Sequence, residues 1–188
     1  MQATSTLTGG FKTPAMDAAH AFRAAMQAMA RPGTLQTIHG GTGPAPISPA
    51  AACLLLTLCD ATTNVFLGAR HDTKDMRDWL AFHTGAPIVT RAEAQFALGT
   101  WGDLHPLADY SIGTPEYPDR SATLIVERDM LDTAGAKLRG PGIATTATLN
   151  LPDIDAFRAN RALFPLGLDF YFTCGSTVAG LPRSTEVL

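Results

Sequence analysis

The sequence predicts a layered α/β domain with a mixed sheet. Capped helical stretches alternate along the chain with short runs of β-branched and aromatic residues. One such run, LDFYFTC (168–174), is apolar at nearly every position, as expected of a strand buried on both faces. Strand candidates crowd the later half, which predicts some antiparallel pairs. The 188 residues, 46% hydrophobic and 16% charged, suffice for one core. We expect a single domain over 1–188, with a flexible leader over 1–10.

Thr13 is the expected N-cap of a first helix, with Pro14 at its first position and Asp17 near its first turn. Arg31-Pro32-Gly33 stops that helix, because a residue before proline is pushed out of the α region. TLQTIH (34–39) reads as a strand and GGTGPAPISPA (40–50) as a loop. Ser48-Pro49 repeats the starting signal before AAACLLLTLC. NVFL (64–67) is the next strand. Asp72 is placed to open TKDMRDWLAFH, with Gly85 just past its end. PIVT (87–90), ATLIVE (122–127) and ATTATLN (144–150) follow as strands. Pro152 and Asp153 open PDIDAFRANRA, and LDFYFTC comes last.

Composition excludes several function classes. The formal charge is −3 and no Lys/Arg block exists, so neither nucleic acid nor an anionic membrane is an expected partner. Cys53, Cys59 and Cys174 have no metal or redox spacing; their odd number and wide gaps argue for a reducing compartment, hence the cytoplasm. No signal peptide and no apolar run long enough to span a bilayer is present. His20, His39, His71, His83 and His105 form no zinc motif, and His83 reads as a helix-end residue. The three lysines, Lys12, Lys74 and Lys137, are poorly placed for a Schiff base, which disfavours a pyridoxal cofactor.

On a wheel of about 3.6 residues per turn, Ala19, Met26 and Met29 fall within roughly 60° of Phe22. This stripe is the expected core face of the first helix. His20, Arg23 and Gln27 gather on the opposite side. The plain reading of that side is a solvated face; the sharper one is contact with another subunit or an anionic ligand. LRGPGIA (138–144) reads as a tight turn between strands, though Lys137 and Arg139 keep an anion site open. Cys174 reads as a packed thiol, with Arg183 following shortly after.

Several stretches together carry a family resemblance. GFKTPAMDAAHAFRAAMQAMARPG, LLLTLCDATTNVFL, FHTGAPIV, GTPEYPDRSATLIV, LRGPGIA and FPLGLDFYFTCGSTVAGLPRST resemble, in order, the PhnH family of the carbon–phosphorus lyase system. The resemblance implies a three-layer αβα sandwich similar to the large domain of pyridoxal-phosphate-dependent transferases, without the cofactor site. It implies a protein that joins subunits G, I and J of that system, and functionally its ATPase-like L component. Such a protein supports attachment of alkylphosphonate to ATP-derived ribose, giving ribose-1-alkylphosphonate 5-triphosphate. The resemblance allows a homodimer, and it carries over no catalytic residue, metal or cofactor. His20, Arg23, Gln27, Lys137, Arg139 and Arg183 are then candidate ligand or subunit contacts. Two rival readings are a binding module for a phosphorylated ligand and a free-standing hydrolase or transferase pairing Cys174 with a nearby histidine.

Overall fold

The computed structural model describes residues 8–188. The chain runs β1 (Gly10–Phe11), α1 (Pro14–Ala30), β2 (Gln36–Thr37), β3 (Gly41–Thr42), α2 (Pro49–Leu58), β4 (Val65–Leu67), α3 (Lys74–His83) and β5 (Phe96–Thr100). It continues through β6 (Thr123–Glu127), β7 (Ala136–Arg139), β8 (Ala147–Leu149), α4 (Ile154–Ala162), β9 (Asp169–Cys174), β10 (Thr177–Leu181) and β11 (Glu186–Val187). The first seven residues of the expected leader lie outside the described residues. Its last residue, Gly10, is not loose: it is buried and pairs with Thr42.

The central sheet has six strands in the order β2-β10-β9-β6-β5-β4. β4, β5, β6 and β9 are parallel, while β10 and β2 add antiparallel strands beyond β9. The sheet is thus mixed, as expected. Its two edges are both short. β2 has two residues, and the outer side of β4 carries a single bridge, Val65 to Ile88. PIVT is therefore one bridge and not a strand, and TLQTIH shrinks to β2.

Side chains of period two split the sheet into two cores. Val65, Leu67, Leu98, Ile125, Tyr171 and Val178 face the layer made by α1, α2 and α3. Ala97, Leu124, Val126, Phe170, Phe172 and Ala179 face the other way. There they meet Phe157 of α4 together with Leu138, Leu149 and Val187, from a small antiparallel sheet of order β11-β7-β8. The second outer layer therefore differs from the expected αβα sandwich: one helix and a three-stranded sheet share it. LRGPGIA forms the turn between β7 and β8, with Gly140 and Gly142 at positive φ.

Helix starts follow local chemistry. Ser48 accepts the Ala51 N–H at 3.1 Å and Asp153 accepts the Ala156 N–H at 3.0 Å. At α1 the cap bond is reversed: Asp17 Oδ2 accepts the Thr13 N–H at 2.8 Å. Thr73, not Asp72, caps α3 by accepting the Met76 N–H at 3.1 Å, which leaves Asp72 to pair with Arg77.

The buried face of α1 corrects the helical-wheel expectation. Ala21, Ala25 and Ala28 are at most 1% exposed, whereas Phe22 is 52% and Met26 48% exposed. The cause is close approach. A Cβ added at Gly180 of β10 would lie 2.7 Å from both the carbonyl carbon and the oxygen of Ala28. At that spacing only small side chains fit between helix and strand. Met29 alone of the expected stripe packs partly against the core. Gly180→Ala should therefore force α1 off β10 and lower stability by about 1–3 kcal/mol, the usual cost of overpacking. Urea unfolding of the variant beside wild type measures this; an unchanged midpoint would refute the close contact.

Candidate functional site

Open α/β sheets place ligands outside the carboxyl ends of parallel strands. Here those ends are the last residues of β4, β5, β6 and β9, and a cleft lies over them. Its inner lobe, of about 180 Å³, is lined by Pro46, Ser48, Arg70, His71, Thr100, Glu127, Arg128, Asp129 and Gly175. An outer lobe of about 450 Å³ shares Arg70, Thr100, Glu127, Arg128 and Asp129 with it and adds Trp101 and Met130. A larger depression beside β4, lined by Leu67, Arg77 and Arg91 among others, touches only the end of β4 and holds a single buried polar atom without a partner among the described residues, Arg91 Nε.

Glu127 ends β6 and points into the junction of three elements. Its Oε1 accepts the Ser48 N–H at 2.7 Å, at the start of α2, and its Oε2 accepts the Thr173 hydroxyl of β9 at 3.1 Å. Burial pushes its pKa above the usual carboxylate range, against the pull of these bonds and of the Arg70 charge. His71 follows β4 in the segment before α3. It is 1% exposed and its Nδ1 has no hydrogen-bond partner. Burial lowers its pKa, which keeps the ring neutral near pH 7; Asp103 opposes that shift and Arg70 adds to it. Arg128 donates from Nη2 to the Asn150 carbonyl at 3.4 Å, while its buried Nε has no acceptor. Thr100 donates to Asp103 at 2.8 Å. The cleft thus offers two guanidinium groups, a neutral imidazole and carboxylates. Such a set can orient a polar ligand and move a proton.

Residues 9–188 match the family model described as "Bacterial phosphonate metabolism protein (PhnH)". The chain belongs to the PhnH family. A curated relative, the alpha-D-ribose 1-methylphosphonate 5-triphosphate synthase subunit PhnH of Rhizobium meliloti (strain 1021), is 39% identical over 189 residues. That alignment covers 96% of this chain and 94% of the relative.

In this PhnH-family chain the residues singled out from sequence do not line the strand-end cleft. His20 and Arg23 are exposed on α1, with Gln27 half-buried on the same helix. Lys137 and Arg139 point outward from β7. Arg183 is committed to the fold: it pairs with Asp169, donates to the Ser121 hydroxyl, and reaches the Pro118 carbonyl at 2.5 Å. The Cys174 thiol donates a hydrogen bond to the Asp129 carbonyl at 3.5 Å and not to an imidazole. Burial pushes the Cys59 thiol up to about 12 and raises that of Cys53, which leaves both unreactive near pH 7. Among the described residues no group of three or more His, Cys, Asp or Glu is placed to hold a metal ion.

The cleft residues were missed because their signal is positional. Arg70-His71, Thr100 and Glu127-Arg128 stand at or just after strand ends, a pattern that becomes visible only when strand direction is known. Glu127 supplies a direct test. Folding raises its pKa, so the folded chain holds this proton to higher pH than the unfolded chain does. The stability cost of ionising it is full above the folded value, shrinks as pH falls between the folded and unfolded values, and vanishes below both. Glu127→Gln keeps the acceptor for Ser48 and removes the charge. Its melting temperature should exceed that of wild type at pH 7.5, with the margin closing as pH falls toward 4. A margin that stays constant with pH would contradict the buried, proton-retaining carboxyl.

Proposed function

We propose that this chain is a subunit of the carbon–phosphorus lyase core complex, working with subunits G, I and J and functionally with the L component. In that assembly it supports formation of ribose-1-alkylphosphonate 5-triphosphate from ATP and alkylphosphonate, with adenine displaced, and has no activity of its own. The observation that carries this reading is the 39% identity, over nearly the full length of both chains, to a protein named as a subunit of ribose 1-methylphosphonate 5-triphosphate synthase. In this reading the setting is the cytoplasm, supported by the odd number and wide spacing of Cys53, Cys59 and Cys174. We read residues 1–188 as one domain of the kind found in the large domain of pyridoxal-phosphate-dependent transferases. The four parallel strands with a cleft at their carboxyl ends support that relation. The exposed placement of Lys12, Lys74 and Lys137, away from the cleft, supports loss of the cofactor site.

The outward face of α1 is the docking surface in this reading. Phe22 and Met26 form an exposed apolar stripe with Ala19, and Arg23 and His20 flank it. An apolar patch with an adjacent arginine is the composition of a protein contact, for other subunits or a second copy of this chain. Lys137 and Arg139 offer a second, charged contact on β7.

Deletion of the gene from a phosphonate-utilising host should abolish growth on methylphosphonate as sole phosphorus source, and the wild-type gene should restore it. Phe22→Ala, and separately His20→Ala with Arg23→Ala, should leave stability within about 0.5 kcal/mol, as surface changes usually do. Each should lose co-purification of the other subunits, since truncating a central interface residue costs about 2 kcal/mol or more. Folded variants that assemble and restore growth would return this face to solvent.

A further inference from the structure

The strand-end cleft holds polar groups that nothing among the described residues uses up. The buried His71 has an unpartnered Nδ1 and lines the inner lobe. Arg128 keeps a buried Nε without an acceptor. Arg70 is exposed on the shared wall, and its charge reaches both Glu127 and His71. Among the described residues neither arginine has a carboxylate within ion-pair distance, whereas six other cations do.

Each group selects a different part of a ligand. Two unpaired guanidiniums facing one cleft suit the forked oxygens of a phosphoryl group. A neutral imidazole both donates and accepts, which suits a hydroxyl better than an anion. The Asp129 carboxylate repels a bare anion, while it and the Glu127 carboxyl group accept hydrogen bonds from hydroxyls. A purely anionic ligand would meet the Asp129 charge, and a purely neutral one would leave the arginines unanswered. The inner and outer lobes, of about 180 and 450 Å³, offer room for a small molecule carrying both kinds of group.

We propose that this cleft binds a sugar phosphate, with Arg70 and Arg128 on the phosphoryl oxygens and His71 and Glu127 on the sugar hydroxyls. The site stands on the cleft's own chemistry; only the choice of a pentose as probe rests on the reading of the chain as a synthase subunit.

The test is calorimetric titration of the full chain with ribose 5-phosphate, ribose and inorganic phosphate in turn. Ribose 5-phosphate should bind saturably and at least tenfold more tightly than either of the other two. Arg70→Gln and Arg128→Gln should each weaken it about tenfold or more while melting within a few degrees of wild type. Arg70 is exposed, so that variant keeps the test valid if Arg128→Gln fails to fold. Absence of saturable binding overturns the proposal. Equal affinity for phosphate and ribose 5-phosphate overturns its sugar component, and undiminished binding by folded Arg70→Gln removes the site from this cleft. The reading as a synthase component fails separately: a chain that binds ribose 5-phosphate but neither assembles nor restores growth refutes that reading alone.

Discussion

Backbone meets backbone where Gly180 of β10 lies against Ala28 of α1, and much of the molecule is arranged around that contact. A side chain at position 180 would collide with the helix carbonyl. The helix can come so close only by presenting Ala21, Ala25 and Ala28. Tyr171, on the neighbouring strand, then reaches the Ala25 carbonyl with its hydroxyl at 3.3 Å. Once the alanines face inward, helical geometry turns Phe22, Met26, His20 and Arg23 outward. The inner fit and the exposed apolar outer face are two sides of one packing decision.

A second junction ties the cleft to the fold. Glu127 closes β6, receives an N–H from the start of α2 and a hydroxyl from β9. Three elements thus converge on one carboxyl, buried enough to resist ionisation. When ionised, it places its charge where the dipole of α2 favours it, but burial raises the cost of that charge. Arg183 serves a comparable purpose at the other end of β9, joining Asp169 to the loop around Ser121. An arginine engaged in this way is structural, whereas Arg70 and Arg128 are not so engaged.

The sequence disclosed helices better than strands, and strands better than the site. Ser48-Pro49 and Asp153 announced α2 and α4 because capping is local chemistry. LDFYFTC announced β9 because burial on both faces leaves a run that is apolar at nearly every position. β5, with the sequence FALGT, went unread: its one β-branched residue is Thr100, and it contains Gly99, whose missing side chain admits Asp103 and Leu104. The buried face of α1 was misread because hydrophobicity weights large residues, while close approach selects small ones. The cleft was illegible because its residues are scattered from Pro46 to Gly175, and those at the ends of β4, β5 and β6 meet only through parallel pairing. Family resemblance reached further than residue patterns, since it compares the order of whole segments.

The edges of the central sheet bear on how such a chain can associate. Hydrogen-bonding groups along an open edge strand invite a neighbour to extend the sheet. Here one edge is two residues long, and the other is interrupted by the Pro87–Val89 segment bridging at Val65. Proline lacks the N–H that a ladder needs. Growth by adding strands end over end therefore has almost no template. For the central sheet, side-on docking of helices and loops is the route left open to a partner.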